Sequence, residues 1–270
     1  MTNTNSRIVK IIYDAAKLLD GTRTGCPEER IHEKNGTFNY VTEYDVAVQR
    51  FLEKELSAAV PGACFLAEEE GGDRQGVSDG YTFVIDPIDG TSNFIHGFGI
   101  SAISVALLYG GCPVFGAVYL PYTDEMFCAE KGGGAFLNGK PIRVNSLPTE
   151  RALTLFGTTP YMRDTMADAV TELFKRLFLT SVDVRRCGAA AADLCFVACG
   201  RAAAFCEMLL SPWDYAAGGL IVEEAGGRVT RFDGSPLSYT EKCTVTAANP
   251  VSYAQVSGIC RELSDKYGVR

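Results

Sequence analysis

The sequence predicts an α/β fold built in stacked layers, and three patterns carry that expectation. Apolar residues recur at helical spacing near the N-terminus, strand-like runs dominate residues 63–144, and strands alternate with helices from about Arg151 onward. A division is expected near 145–155. It separates an N-terminal α+β portion, 1–150, from a C-terminal α/β portion, 151–270, the two forming one compact unit.

Taken in order, Ile8, Ile11, Ile12, Ala15, Leu18 and Leu19 form one apolar stripe, so a first amphipathic helix is expected to end near Gly21. The segment "VTEYDVAVQRFLEKELSAAV" gives a second, with Val48, Phe51, Leu52 and Leu56 on one face. "ACFLAEE" and "YTFVID" are strands that end in acids. "SAISVALLYGGCPVFGAVYLPY" is two long strands around Gly110-Gly111, and "EMFCAEKGGGAFLNGKPIRV" continues the meander with a hairpin at Asn138-Gly139. Beyond it come a strand "TLFGT", helices near 163–178 and 189–199, and a strand "AAAFCEML". A helix from Trp213 to Ala225 and a last helix after Pro250 complete the chain.

Composition removes several function classes. The chain carries 33 Asp and Glu against 25 Lys and Arg, a net charge of −8, which disfavours a broad nucleic-acid surface. The opening "MTNTNSRIVK" has no basic region followed by an apolar run, and the apolar stretch "AAAADLCFVACGRAAAFCEMLL" is broken by Asp193, Gly200, Arg201 and Glu207. Neither a secretory signal nor a membrane span is expected, and a cytoplasmic location follows. The ten cysteines are scattered without a C-x-x-C pair, and His32 and His96 are the only histidines. The cysteines therefore look like small core residues rather than a disulfide or zinc framework.

Two motif-like stretches are better explained structurally. "CFVACGR" has the Cys-x5-Arg spacing of a thiol phosphatase, with Cys195 and Arg201 at its ends, but it continues a helical apolar pattern and has only Gly200 to wrap a phosphate. "GAFLNGKP" approaches a phosphate-binding loop, yet Pro141 stands where a hydroxyl is needed.

The stretch "DPIDGTSNF" is different. Alone, Asp86, Pro87 and Gly90 would make an ordinary turn. Glu68 and Glu69 end another strand, however, and Asp214 in "SPWDYAAGG" sits where a strand meets a helix. Acids at three strand ends point to a crevice of the kind α/β folds place there. Hard divalent cations take such oxygen ligands, magnesium in particular combining a few carboxylates with water and substrate phosphate. Gly90-Thr91-Ser92-Asn93 then offers amides at a helix start as a phosphate seat. Cations between the aspartates, with phosphate beside them, would relieve the repulsion that the sequence builds in.

At these residues the chain resembles the inositol monophosphatase family of magnesium-dependent, lithium-sensitive phosphatases. "DPIDGTSNF" matches its first signature throughout, "WDYAAGGLIVEEAGG" its second, and "FLAEEE" its Glu-Glu pair. Similarity extends from about residue 7 to 250. The resemblance implies an α-β-α-β-α sandwich, as in inositol monophosphatase and fructose-1,6-bisphosphatase, acting as a homodimer with two to three magnesium ions per subunit. It implies that Glu68, Asp86 and the Ile88 carbonyl hold one ion, that Asp86, Asp89 and Asp214 hold a second, and that Glu68 serves a third through water. Thr91 with Glu68 would orient the attacking water, and the Gly90 and Thr91 amides would bind phosphate. Lys34 and Asp45 match flanking positions, and Glu207 matches an acid that meets the alcohol part of the substrate.

Chemistry agrees, since coordination makes water a nucleophile near neutral pH and no covalent intermediate is needed. A small phosphorylated polyol such as myo-inositol monophosphate is the implied substrate. Histidinol phosphate, fructose 1,6-bisphosphate and adenosine 3′,5′-bisphosphate are the alternatives within the fold. Ser92-Asn93 departs from the Lys-Glu of the last group, and Ala189 stands where the family often has a hydroxyl on the substrate side. A regulatory protein acting through protein contacts is the rival from another class. Trp213 is expected to anchor the Asp214 turn, His96 to be non-catalytic, Glu69 to support the ligands and Glu70 to be solvated.

Overall fold

The computed structural model describes residues 2–22, 24–34, 38–69 and 76–269. The chain begins with α1 (Asn3–Ala16), whose first turn is capped by Thr2 accepting the Asn5 amide. A short antiparallel pair, β1 (Ile31–Glu33) and β2 (Tyr40–Thr42), leads into α2 (Glu43–Ala59). Then follow β3 (Cys64–Ala67), β4 (Tyr81–Asp89), the single-turn α3 (Thr91–Ile95), and the meander β5 (Ala102–Tyr109), β6 (Cys112–Leu120), β7 (Glu125–Glu130), β8 (Gly134–Leu137) and β9 (Lys140–Ile142). β3 to β9 form a seven-stranded sheet in sequential order, parallel only between β3 and β4. Its last hairpin turns at Asn138 and Gly139, both with positive φ (49° and 75°), the geometry that Asn-Gly adopts most readily.

The second half runs β10 (Leu153–Phe156), α4 (Arg163–Thr180), β11 (Asp183–Arg185), α5 (Ala190–Ala198), β12 (Ala204–Leu210), α6 (Pro212–Glu224), β13 (Arg228–Thr230), β14 (Cys243–Ala248) and α7 (Tyr253–Tyr267). Its five-stranded sheet has the order β11-β10-β12-β14-β13, with β10 parallel to both neighbours.

Three apolar cores stack these elements into α-β-α-β-α layers. Ile8, Ile12, Val48, Leu52 and Leu56 of α1 and α2 pack on Phe83, Ile85 and Val105 of the larger sheet. The other face of that sheet meets α5 and α6, which also pack on Phe205, Val245 and Ala247 of the smaller one. Leu173 and Leu177 of α4 with Val256 and Cys260 of α7 close the far side. Being covered on both sides, α5 and α6 are apolar nearly all round rather than striped, and their alanines let the two sheets approach. Among the described residues, no helix is long and apolar enough to cross a membrane.

The expected helices and long strands are all present, with small shifts at their ends. Expectation and structure differ at β1, β2, β11, β13 and β14. The first four are three-residue strands, too short for an alternating pattern to register. β14 is buried along its whole length and so shows no alternation either. A second difference is at "DPID", where a turn was expected after Asp86. The strand instead continues to Asp89 through an irregularity.

The cysteines are all free, and five are core residues, but Cys112 is exposed. Cys195 lies fully buried inside α5 with its thiol pushed well up by burial, while Arg201 is paired with Glu125, so this stretch forms no phosphate loop. Leu194, fully buried between the sheets, is expected to be costly to truncate. Leu194→Ala should lower unfolding free energy by about 2–5 kcal/mol in a urea titration, because both neighbouring layers resist collapse into the cavity.

Candidate active site

β4 delivers two acids to one place by means of a bulge. Asp86 pairs with Ser104 and Asp89 with Ala102, so three steps on β4 oppose two on β5. Side chains alternate faces along a regular strand, and residues three apart would point to opposite sides. The extra residue restores the phase, and Pro87, which lacks an N–H for the ladder, is tolerated in such a bulge. The Ile88 amide donates to Asp86 Oδ1 at 3.1 Å. Gly90 then takes φ 86° as the cap of α3, and it does so beside Gly188 and Ala189, where an added Cβ would lie only 3.0 Å from that of Ala189.

The neighbouring acids come from other elements. Glu68 and Glu69 follow β3, and Lys34, at the end of β1, donates to both, at 2.9 and 2.6 Å. Asp45 is the third residue of α2 and closes a capping box with Thr42, while its Oδ1 lies 3.4 Å from Thr91 Oγ1. The same hydroxyl is 3.2 Å from the Ile88 carbonyl. Asp214 holds the corresponding place in α6, accepting the Ser211 amide at 2.7 Å behind Pro212. Asp89 accepts from the amides of Ala190 (3.0 Å), Ala191 (2.8 Å) and Ala192 (3.4 Å) at the start of α5.

All this faces a cleft of about 450 Å³. Glu68, Asp89, Gly90, Thr91, Ala189, Glu207 and Asp214 line it, with Asp86, Ile88 and Asp45 buried beneath. Glu207 comes from β12, in the other sheet, and its carboxylate lies against Gly157. A Cβ there would fall 1.7 Å from Glu207 Oε2, so any larger residue would have to displace that carboxylate. Trp213 is half-buried, packs on the central core as expected and also borders the cleft. Exposed His96 is not among the lining residues. Glu70 falls outside the described residues.

Burial and mutual repulsion hold these acids far from their ordinary state. Burial, then Glu68, Asp89 and Asp214, push Asp86 well above the usual carboxylate range, and burial with Glu68 and Asp89 does the same to Asp214. Asp89 is raised by burial to about 7 although the α5 amides oppose the shift. Burial lifts Asp45 to about 6 and, with Glu68, Glu69 to about 7. Glu207 is raised by burial and by Asp214, Asp193 and Asp89. Burial works against the charge of Lys34, but Glu68 and Glu69 together hold its ammonium above the ordinary lysine value.

Among the described residues, no three acidic, histidine or cysteine side chains already close around one point as a finished metal centre. The carboxylates are held instead by the amides and Lys34 named above, which occupy some of the roughly four acceptor positions each possesses. The donor set still fits a hard cation. It is entirely oxygen, it is crowded enough to repel itself, and Lys34 is the sole cation paired with it among the described residues.

Some contributors gave little sequence signal. Gly157, Thr158 and Tyr161 follow β10, Arg186 follows β11, and Lys242 precedes β14; topology brings them to the cleft. Asp193 could have been noticed as the one acid in the apolar run 189–199. It is 1% exposed and Oδ1 has no hydrogen-bond partner.

The model of the Inositol monophosphatase family matches residues 4–266. The chain belongs to that family. It is 38% identical over 247 residues, 89% of each chain, to Inositol monophosphatase 1 of Solanum lycopersicum. It is 35% identical over 217 residues, 80% of each chain, to Nus factor SuhB of Vibrio cholerae. Among solved structures, the Thermotoga maritima IMPase superposes with a TM-score of 0.85 at 31% identity, covering 96% of this chain and 97% of that one. Layers and strand order thus belong to a family of phosphatases.

The raised acids fix a pH dependence for the metal-free protein. A carboxyl whose folded pKa exceeds its ordinary value stabilises the fold below that value and loses the contribution as pH climbs to the folded one. For Asp45 and Asp89 the window runs from 3.8 to about 6 and about 7. Chelator-treated protein should therefore melt at progressively lower temperature between pH 4.5 and 7.5 in differential scanning fluorimetry. A flat or rising profile would contradict the crowding described.

Proposed function

We propose that this protein is a magnesium-dependent phosphomonoesterase acting on small phosphorylated polyols, with myo-inositol monophosphate as the first candidate substrate. The observation that carries the proposal is the convergence of Glu68, Asp86, Asp89 and Asp214 beside the Gly90-Thr91 turn in one cleft. Glu68, Asp86 and the Ile88 carbonyl would hold one ion, and Asp86, Asp89 and Asp214 a second, with Glu68 near a third. Bound there, magnesium would neutralise the acids, acidify water and stabilise the leaving alkoxide.

The chain's own groups do the rest. Thr91 Oγ1, held between the Ile88 carbonyl and Asp45, is placed to accept a hydrogen bond from the attacking water and pass its proton toward Asp45, with Glu68 orienting the same water from the opposite side. The Gly90 and Thr91 amides face the phosphate. Glu207 and Ala189 border the alcohol, and Gly157 leaves room for the Glu207 carboxylate. Exposed Phe178, Leu179 and Val182, at and just beyond the end of α4, support a homodimer.

Release of phosphate should cease with excess chelator. Asp89→Asn and Asp214→Asn should each lower kcat by roughly 100-fold or more in a phosphate-release assay while far-UV circular dichroism stays unchanged. Near-normal turnover in either variant would refute the ligand assignment. Glu207→Gln should cut kcat/KM about 10- to 100-fold for myo-inositol 1-phosphate and hardly affect p-nitrophenyl phosphate, which offers no hydroxyls. Equal losses on both would place Glu207 in the support of the fold or the acids.

A second role through protein contacts is favoured by the relatives named Nus factor SuhB. Pull-downs with and without magnesium separate that role from catalysis, since a partner bound only by the catalytically inactive surface would be indifferent to the ion.

A further inference from the structure

A second cavity, of about 210 Å³, shares α3 with the cleft. Thr91, Ser92 and Asn93 line the cleft, and Phe94, the next residue of that helix, lines the cavity. The end of α1 and the turn after it add Tyr13, Ala16 and Leu19, while Ser101 and Tyr119 come from the residue before β5 and from β6. The lining is mostly apolar and aromatic, and Tyr13 and Tyr119 meet edge-on with ring centroids 4.8 Å apart. Several of its polar groups are committed elsewhere. Tyr119 Oη donates to Asp124 Oδ1 at 2.9 Å, Thr22 Oγ1 to the Leu19 carbonyl at 2.7 Å, and Lys17 pairs with Asp14 at 2.6 Å. Ser101 differs. It is 1% exposed, and its hydroxyl has no hydrogen-bond partner among the described residues.

A buried hydroxyl without a partner costs free energy that a ligand atom in the cavity recovers. An apolar cavity of about 150 Å³ is enough for benzene, so this one takes two fused rings. We infer that the cavity is a binding site for a small neutral aromatic molecule of that size, carrying one group that hydrogen-bonds Ser101. Occupancy of the site also favours phosphate at the Gly90-Thr91 turn, because the cavity touches both segments that flank the acids. The Phe94 amide donates to the Gly90 carbonyl at 3.0 Å, and its ring lies 5.6 Å from that of Tyr44, the neighbour of Asp45. Ser101 precedes Ala102, the strand partner of Asp89. A ligand fitted against Phe94 and Ser101 favours the arrangement in which α3 presents its first amides to the cleft, and phosphate favours the same one. The site stands apart from the phosphatase reading; the coupling rests on it.

Calorimetric titration of the full chain with 2-naphthol near neutral pH tests the site. One molecule should bind per chain with Kd below about 1 mM. Ser101→Ala should weaken binding about three- to tenfold by removing the hydrogen bond, and Ala16→Phe, which fills the cavity, about tenfold or more. If Ala16→Phe does not fold by circular dichroism, Ala16→Leu carries the same comparison. Tetramethylammonium, which aromatic rings also attract, should bind at least about tenfold more weakly than 2-naphthol. No binding of 2-naphthol, binding unchanged in both variants, or a preference for the cation would each overturn the inference. With magnesium and inorganic phosphate at saturation, 2-naphthol should bind about fivefold more tightly. Equal affinity with and without them would overturn the coupling. If phosphate itself does not bind in the same calorimeter, the reading of the turn as its seat fails separately, and the titrations with 2-naphthol still decide the site.

Discussion

The crowding of Asp86, Asp89, Asp214 and Glu68 at the meeting of two sheets is the constraint to which the rest of the cleft answers. Carboxylates taken out of water resist ionisation, and each one raises its neighbours further. The fold offsets this locally. Asp45 and Asp214 occupy the third position of helices, where a negative charge meets unsatisfied amides, and Asp89 receives three amides from α5. Lys34 ties Glu68 to Glu69. These bonds hold the side chains in place without removing the crowding of acidic groups, an all-oxygen donor set of the kind that suits a hard cation.

Backbone geometry decides which acids take part. Had β4 continued regularly, Asp89 would face away from Asp86 and the two could not share an ion. One added residue at Pro87-Ile88 reverses that, turns the Ile88 carbonyl toward Thr91 and ends the strand at a glycine able to take φ 86°. The spacing D-P-x-D is thus a statement about strand phase as well as about composition.

Much of this was legible because it is local. Helical stripes, the Asn-Gly hairpin, acids at strand ends and the Asp86–Asn93 motif lie within short windows, where periodicity and turn chemistry act directly. What escaped is non-local. The α5 amides that hold Asp89 are 101 residues away. The close approach at Gly157 exists because β12 brings Glu207 alongside β10. Arg186 reaches the cleft because the three-residue β11 pairs with β10, and so short a strand leaves no pattern to detect. Pro and Gly favour a turn and a bulge alike, and the distinction at Asp86–Asp89 depends on the pairing of β4 with β5.

The layered architecture explains why one crevice gathers such different chemistry. β4 and β12 belong to separate sheets, and α5 and α6 fill the space between them. The start of each helix faces the crevice, α6 contributing Asp214 and α5 contributing amides to Asp89. The larger sheet therefore supplies the acids beside the Gly90-Thr91 turn, while the smaller one supplies Glu207 and, just beyond its strands, Gly157 and Arg186. Substitutions in the smaller sheet can reshape its side of the cleft with little change to β4, since α5 and α6 pack between the two sheets. Changes on β12 would alter the Glu207 side of the cleft while the acids of β4 keep their places, because the buried helices α5 and α6 join the two sheets.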